Sequence, residues 1–108
     1  MRAVLDTHAL DYELTWSLSG GPFLSARGRL VDALTDAVQA TTGVTPALST
    51  SGGTSDGRFL SAISREVVEF GPVGASIHAV DEHVRIADIA PLSIVYETAV
   101  ARMLGGPV

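Results

Sequence analysis

The 108-residue sequence contains no cysteine, no lysine and no hydrophobic run long enough to span a membrane. Without cysteine, neither a disulfide framework nor a thiolate metal site is possible. All seven basic residues are arginines scattered along the chain, and the net charge is −5, whereas a nucleic-acid surface usually shows a basic stripe. The first residues contain no apolar segment of signal-peptide type. We therefore expect no nucleic-acid or membrane partner, and a cytoplasmic location.

The chain carries enough hydrophobic residues to build a folded core. Hydrophobic residues make up 46% of the sequence and charged residues 18%, which is the composition of a globular protein. Helical and strand-like patterns alternate, and this order predicts an α/β fold. The predicted helices are 2–9, 25–42 and 58–63, and a last helix that Asp88 caps and the glycines at 105–106 end. The predicted strands are 12–18, 46–50, 66–70 and 83–86.

Two of these helices show a clear apolar face and clear end signals. Ser25 is expected to cap the first of them, and Gly43 to end it. Asp88 is expected to cap the last helix, which places Pro91 in the first turn, where a missing N–H does no harm. The residues expected on the buried faces are Leu30, Leu34, Ala37 and Val38 in the first of these helices, and Leu92, Val95, Tyr96, Ala99 and Met103 in the last.

The segment STSGGTSDGRF, residues 49–59, has one apolar residue in eleven. Its glycines allow the backbone to approach another group closely. Thr54, Ser55 and the amides that follow precede a predicted helix, an arrangement that favours a carboxylate or another anion. The alternative is a turn in which Thr54 or Asp56 bonds its own backbone. The pattern is not a P-loop, because the glycine spacing differs and no lysine follows.

His78 is the second candidate for function. It lies among small residues after a Gly-Pro turn and shortly before Asp81 and Glu82. An imidazole with a carboxylate within reach of its second nitrogen suits a metal ligand. The alternative is a loop histidine bonded to backbone. Neither His8 nor His83 has a neighbour that raises it above that alternative.

Three segments carry a resemblance to a known family. WSLSGGPFLSARGRLVDAL, STSGGTSDGRF and EVVEFGPVGASIHAVDEHVRIADI occur in the same order, at compatible spacing, in succinyl-diaminopimelate desuccinylases. These enzymes form a branch of the di-zinc aminoacylase and carboxypeptidase-like metallohydrolases. The resemblance covers nearly the whole chain, from about residue 5 to residue 103.

The resemblance implies a role for each matched position. His78 matches a zinc ligand, Gly53 and Thr54 match the loop that meets a substrate carboxylate, and Glu82 matches a glutamate that supports the metal site from outside. Gly74 stands where the family often has asparagine, which leaves open which acyl amino acid is the substrate.

The resemblance also implies a reaction and an assembly. The reaction is removal of succinate from N-succinyl-LL-diaminopimelate, in lysine and diaminopimelate biosynthesis. The implied cofactor is a pair of zinc ions, with cobalt as an alternative metal. The substrate is a small molecule with carboxylates, and the complete enzyme is expected to be a homodimer.

The chain lacks most of the residues that this reaction needs. It contains no H-x-D pair and no adjacent Glu-Glu pair, whereas a catalytic zinc normally has at least three protein ligands. By the resemblance, the missing ligands belong to a segment that precedes Met1. Residues 1–20 are then the end of an inserted lid or dimerisation domain. Residues 21–108 are the C-terminal part of the zinc-peptidase-like catalytic domain, which is a mixed sheet flanked by helices.

Three functions remain open at this point. The first is an incomplete desuccinylase, inactive as these 108 residues alone. The second is part of a related N-acyl amino acid hydrolase or carboxypeptidase, which Gly74 motivates. The third is a non-catalytic, self-associating module.

Overall fold

The computed structural model describes residues 1–18, 20–50 and 55–105. Four helices form in this part of the chain: α1 (Arg2–Thr7), α2 (Arg29–Thr42), α3 (Gly57–Leu60) and α4 (Ile86–Leu104). A helix was predicted at each of these places. The glycine stops are also confirmed, because Gly43 and Gly105 take left-handed conformations with φ of 74° and 73° at the ends of α2 and α4, where a side chain would be strained.

The core lies between α2 and α4. Ala37 and Val38 of α2 pack with Val95 and Ala99 of α4, and Leu34 and Phe70 cover the cluster from the side. The small side chains at 37 and 99 allow the two helix backbones to approach closely. The predicted apolar faces are therefore correct at their centres, although Tyr96, predicted to be buried, is 44% exposed.

The N-terminus of α2 differs from the prediction. Gly28, not Ser25, is the N-cap residue, and it has no side chain to bond the first turn. The Glu66 carboxylate does so instead, accepting a hydrogen bond from the Leu30 N–H at 3.3 Å. The Ser25 hydroxyl accepts a bond from the Val67 N–H at 2.9 Å. The cap thus comes from a residue 36 positions away, which local pattern does not reveal.

The N-terminus of α4 also lies earlier than predicted. Arg85 is the N-cap and Ile86 the first helical residue, so Asp88 lies inside the first turn, where it forms an ion pair with Arg85 at 3.3 Å. Pro91 consequently lies in the second turn rather than the first. Its missing N–H removes one hydrogen bond from the helix.

The predicted α/β fold is wrong for the described residues, which contain no β-strand. The segments 12–18, 46–50, 66–70 and 83–86 pair with no neighbouring strand in this part of the chain. Alternation tells which side chains share a face, but a strand forms only when its N–H and C=O groups bond to an adjacent strand. Trp16 and Leu18, on the apolar face of the first segment, are accordingly 69% and 85% exposed.

The chain is elongated. Its radius of gyration is 19.0 Å, whereas a compact domain of this length has about 13 Å. No helix among the described residues is both long enough and apolar enough to cross a bilayer.

Candidate functional site

Described residues of the STSGGTSDGRF segment line an open groove together with other stretches of the chain. Its volume is about 950 Å³. The wall is formed by three stretches of chain, together with Val31 of α2: residues 20–25, residues 47–50 with Ser55 and Arg58, and residues 67–69. Gly53 and Thr54 lie outside the described residues, so their contact with a substrate carboxylate stays a prediction.

Gly57, at the start of α3, is the tightest point of this arrangement. A Cβ atom on Gly57 would lie 2.7 Å from Oε1 of Glu69 and 2.9 Å from Cζ of Phe23. Both distances are shorter than van der Waals contact. A glycine at this position therefore lets the motif pack against two other walls of the groove.

Arg58 connects the motif to the opposite side of the groove. Its guanidinium carbon lies 4.6 Å from the centre of the Phe59 ring, a cation–π contact. Its side chain also lies against Gly20, where a Cβ atom would be 3.0 Å from Cδ and Nη1 of Arg58. The arginine thus packs on the glycine turn that precedes Phe23.

A local side-chain to backbone hydrogen bond holds the described part of the motif. The Gly57 N–H donates to Oγ of Ser55 at 3.0 Å, and Asp56, the N-cap of α3, makes no side-chain cap bond. Ser55 therefore forms a local bond of the kind predicted for Asp56, whereas the same prediction for Thr54 lies outside the described residues. Because α3 has only four residues, its dipole adds little attraction for an anion.

His78 lies in a loop built from three successive turns. The N–H groups of Ile77, Ala79 and Glu82 donate to the carbonyls of Gly74, Ser76 and Ala79 at 3.0–3.2 Å. His78 has a φ of 63°, a conformation that disfavours a residue with a side chain.

Glu82 contacts His78 through the backbone. Its carboxylate accepts a hydrogen bond from the His78 N–H at 3.3 Å. The structure thus brings the predicted ligand and its predicted support together. A bond from Glu82 to a ring nitrogen of His78 stays a prediction.

The other two histidines have ordinary structural positions. His8 is the C-cap of α1. Nδ1 of His83 lies 2.6 Å from the carbonyl oxygen of Asp81, which is the ordinary bonding of a loop histidine to nearby backbone.

The described residues do not assemble a metal site by themselves. They contain no group of three or more His, Asp or Glu side chains close enough to hold an ion. The imidazole of His78 is an acceptable donor, but a catalytic zinc normally has at least three protein ligands. A di-zinc centre therefore does not fit this part of the chain alone.

Comparison with known proteins shows the family to which this chain belongs. The model of peptidase family M20/M25/M40 matches residues 4–102. The chain belongs to this family. The matched range includes most of α1, the groove, the His78 loop and nearly all of α4. Both candidate sites therefore lie within the part of the chain that matches the family.

Curated relatives in the family confirm the resemblance read from the three motifs. The succinyl-diaminopimelate desuccinylase of Thiobacillus denitrificans is 57% identical over 102 residues, or 94% of this chain and 26% of that protein. The desuccinylase of Albidiferax ferrireducens is 53% identical over 98% of this chain and 27% of its own length. That of Aromatoleum aromaticum is 60% identical over 94% and 26%. The chain thus spans about a quarter of the length of these relatives.

Two supporting residues were missed by sequence reasoning. Glu66 caps α2 from a distant segment, and Ser76 bonds both backbone groups of His83. Neither has a local signal, because each bond joins residues that only the folded chain brings together.

Proposed function

We propose that this chain is the part of a succinyl-diaminopimelate desuccinylase that contributes one metal ligand and one wall of the substrate pocket. The observation that carries the proposal is the 53–60% identity to desuccinylases along 94–98% of the chain. The reaction adds water across the succinyl amide bond, releasing succinate and diaminopimelate. The substrate is a small molecule with several carboxylates, and the enzyme is metal-dependent, with zinc or cobalt.

The chain's own residues have three tasks in this proposal. Gly53 and Thr54 bind a carboxylate of the substrate through backbone N–H and hydroxyl groups. His78 donates one imidazole nitrogen to a metal, and Glu82 holds the backbone at His78. The open groove beside the motif, about 950 Å³, supports the first task, since small-molecule sites commonly have volumes of about 300–1,000 Å³.

The proposal includes the surroundings of the site. Residues 1–20 belong to a lid or dimerisation domain, residues 21–108 to the catalytic domain, and the complete enzyme is a cytoplasmic homodimer. Within the described residues, α1 contacts no other helix, and this is compatible with such a division. The 108 residues alone are not expected to hydrolyse the amide.

A segment exchange tests this function directly. The matching quarter of the Thiobacillus denitrificans desuccinylase is replaced by this chain, and hydrolysis of N-succinyl-LL-diaminopimelate is measured. We expect an active chimera. We also expect His78→Ala in the chimera to reduce activity by at least about 100-fold, because changing even an outer partner of a metal ligand commonly costs about 10–100-fold.

Three controls make the exchange decisive. His8→Ala, at the end of α1, should leave the chimera active. The isolated 108-residue chain should show no turnover with zinc or cobalt. A folded chimera without desuccinylase activity, or robust turnover by the isolated chain, would contradict the proposal.

A related N-acyl amino acid hydrolase is the second candidate, and Gly74 favours it. A Cβ atom at Gly74 would have ordinary contacts of 3.7 and 3.8 Å with Ile77, so steric crowding does not explain the glycine. A Cβ atom is therefore tolerated at residue 74, where this chain lacks the asparagine that the family often has. A preference of the chimera for N-acetyl over N-succinyl substrates, reversed by Gly74→Asn, would establish this second function.

A further inference from the structure

We infer that Ser76 is a positioning residue for His78, because its hydroxyl closes the loop that carries the histidine. Oγ of Ser76 donates to the His83 carbonyl at 2.9 Å and accepts from the His83 N–H at 3.0 Å. One side chain therefore joins the two ends of an eight-residue loop, residues 76–83, in which His78 is the third residue. That His78 is a metal ligand rests on the proposed function.

The burial pattern shows why this loop needs a polar closure. Between residues 71 and 87, Ser76 is the one residue that is not exposed. Ile77 is 61% exposed and Val80 fully so. Since apolar packing does not hold this loop, hydrogen bonds must determine its shape.

The conformation of His78 adds a second reason. Its φ of 63° is unfavourable for any residue with a Cβ atom and persists only where surrounding bonds impose it. Further hydrogen bonds act inside the loop. The Ala79 N–H donates to the Ser76 carbonyl and the Glu82 N–H to the Ala79 carbonyl, and the His78 N–H donates to the Glu82 carboxylate. The Ser76 hydroxyl in addition connects the two ends of the loop, because it bonds both backbone groups of His83. Without that closure the strained residue is free to relax, and the imidazole then points in several directions.

The test uses the 108-residue chain and NMR. The backbone shifts and three-bond H–N–Cα–H coupling of His78 report its positive φ, and amide exchange reports the loop bonds. In Ser76→Ala we expect these signals to move toward averaged values. We also expect the His83 amide to exchange at least about fivefold faster, the factor that corresponds to one hydrogen bond.

A conservative variant and a control separate positioning from general stability. Ser76→Thr keeps the hydroxyl and should restore both the His78 signature and the slow exchange of His83. Ser93→Ala, at an exposed position of α4, should change neither. The amides of α2 and α4 should exchange at the same rate in all variants, because the loop contributes no residue to the core.

Two results would overturn the role of Ser76. One is unchanged His78 signals in Ser76→Ala, and the other is an equal increase of amide exchange in the loop and in the α2–α4 core. Neither readout depends on catalysis. An inactive chimera together with a displaced His78 in Ser76→Ala would refute the function alone, whereas an active chimera with an unmoved His78 would refute the role of Ser76 alone.

Discussion

Tyr96 on α4 donates a hydrogen bond from its hydroxyl to the backbone carbonyl of Phe70, and the two rings meet edge to face with their centres 6.1 Å apart. The hydroxyl thus binds a carbonyl that pairs with no strand in the described chain. The rings extend the α2–α4 core over the segment 66–70. The hydrogen bond and the ring contact together hold the Tyr96 side chain, although 44% of the residue is exposed.

Tyr96→Phe should lower the free energy of unfolding by about 0.5–1.5 kcal/mol, the net contribution of one hydrogen bond. The ring contact survives this change, so Tyr96→Ala should lower the free energy further. Urea unfolding followed by circular dichroism measures both. Ile94→Ala, at a half-exposed position of the same helix, is the control. Equal decreases of the free energy of unfolding in Tyr96→Phe and Tyr96→Ala would show that the ring contact adds no stability.

Glu66→Ala should destabilise α2, because it removes the carboxylate that binds the Leu30 N–H. The loss of an N-cap costs about 0.5–2 kcal/mol, measured as a shift of the urea midpoint. Glu97→Ala, which removes the same charge from the surface of α4, should change stability little.

Gly28→Ala tests the same cap from the other side. A Cβ atom at residue 28 would lie 2.1 Å from Oε1 of Glu66, so the substitution should expel the carboxylate. In the Glu66→Ala background the collision no longer exists, and Gly28→Ala should then be nearly neutral. Additive losses in this double-mutant cycle would mean that the two residues do not interact.

Gly57→Ala should destabilise the wall of the groove by about 1–3 kcal/mol, as overpacked substitutions commonly do. The added methyl would collide with Glu69 and Phe23. Gly71→Ala is the matched control, because a Cβ atom there meets no atom within 4 Å. Thermal unfolding and the NMR shifts of Phe23 measure the effect, and equal stability of the two variants would contradict the close packing.

Tyr12 should titrate above its ordinary range. The hydrogen bond from its hydroxyl to Asp6, 2.8 Å long, raises the pKa of Tyr12 because it favours the protonated phenol. Asp6→Asn should lower this pKa toward the ordinary value of about 10, measured from the ring carbon shifts. Asp11→Asn should have no such effect.

The sign of the pH dependence follows from the direction of this shift. The folded pKa lies above the unfolded value, so the contribution of this bond to stability is complete below the unfolded pKa. It is then lost as the pH rises through the folded pKa. A bond that strengthens with rising pH in this range would contradict the assignment.

The sequence alone determined the features that depend on neighbours along the chain. The period of apolar residues predicted α2 and α4 and the centre of their contact, and glycines predicted where both helices end. The family could also be identified from the sequence, because its three motifs are short and ordered along the chain. The choice of His78 and the STSGGTSDGRF segment as candidates came from the same source.

Only the tertiary structure decided which groups meet across the chain. Pattern predicted four strands, but a strand requires a partner for its backbone groups, and within the described residues those segments have none. The cap of α2 comes from Glu66 rather than Ser25, and Ser76 rather than a packed core closes the loop around His78. These bonds join residues that are not neighbours along the chain, 36 positions apart for Leu30 and Glu66 and seven for Ser76 and His83. Whether such residues meet depends on how the folded backbone places them, and the local sequence pattern does not contain that information.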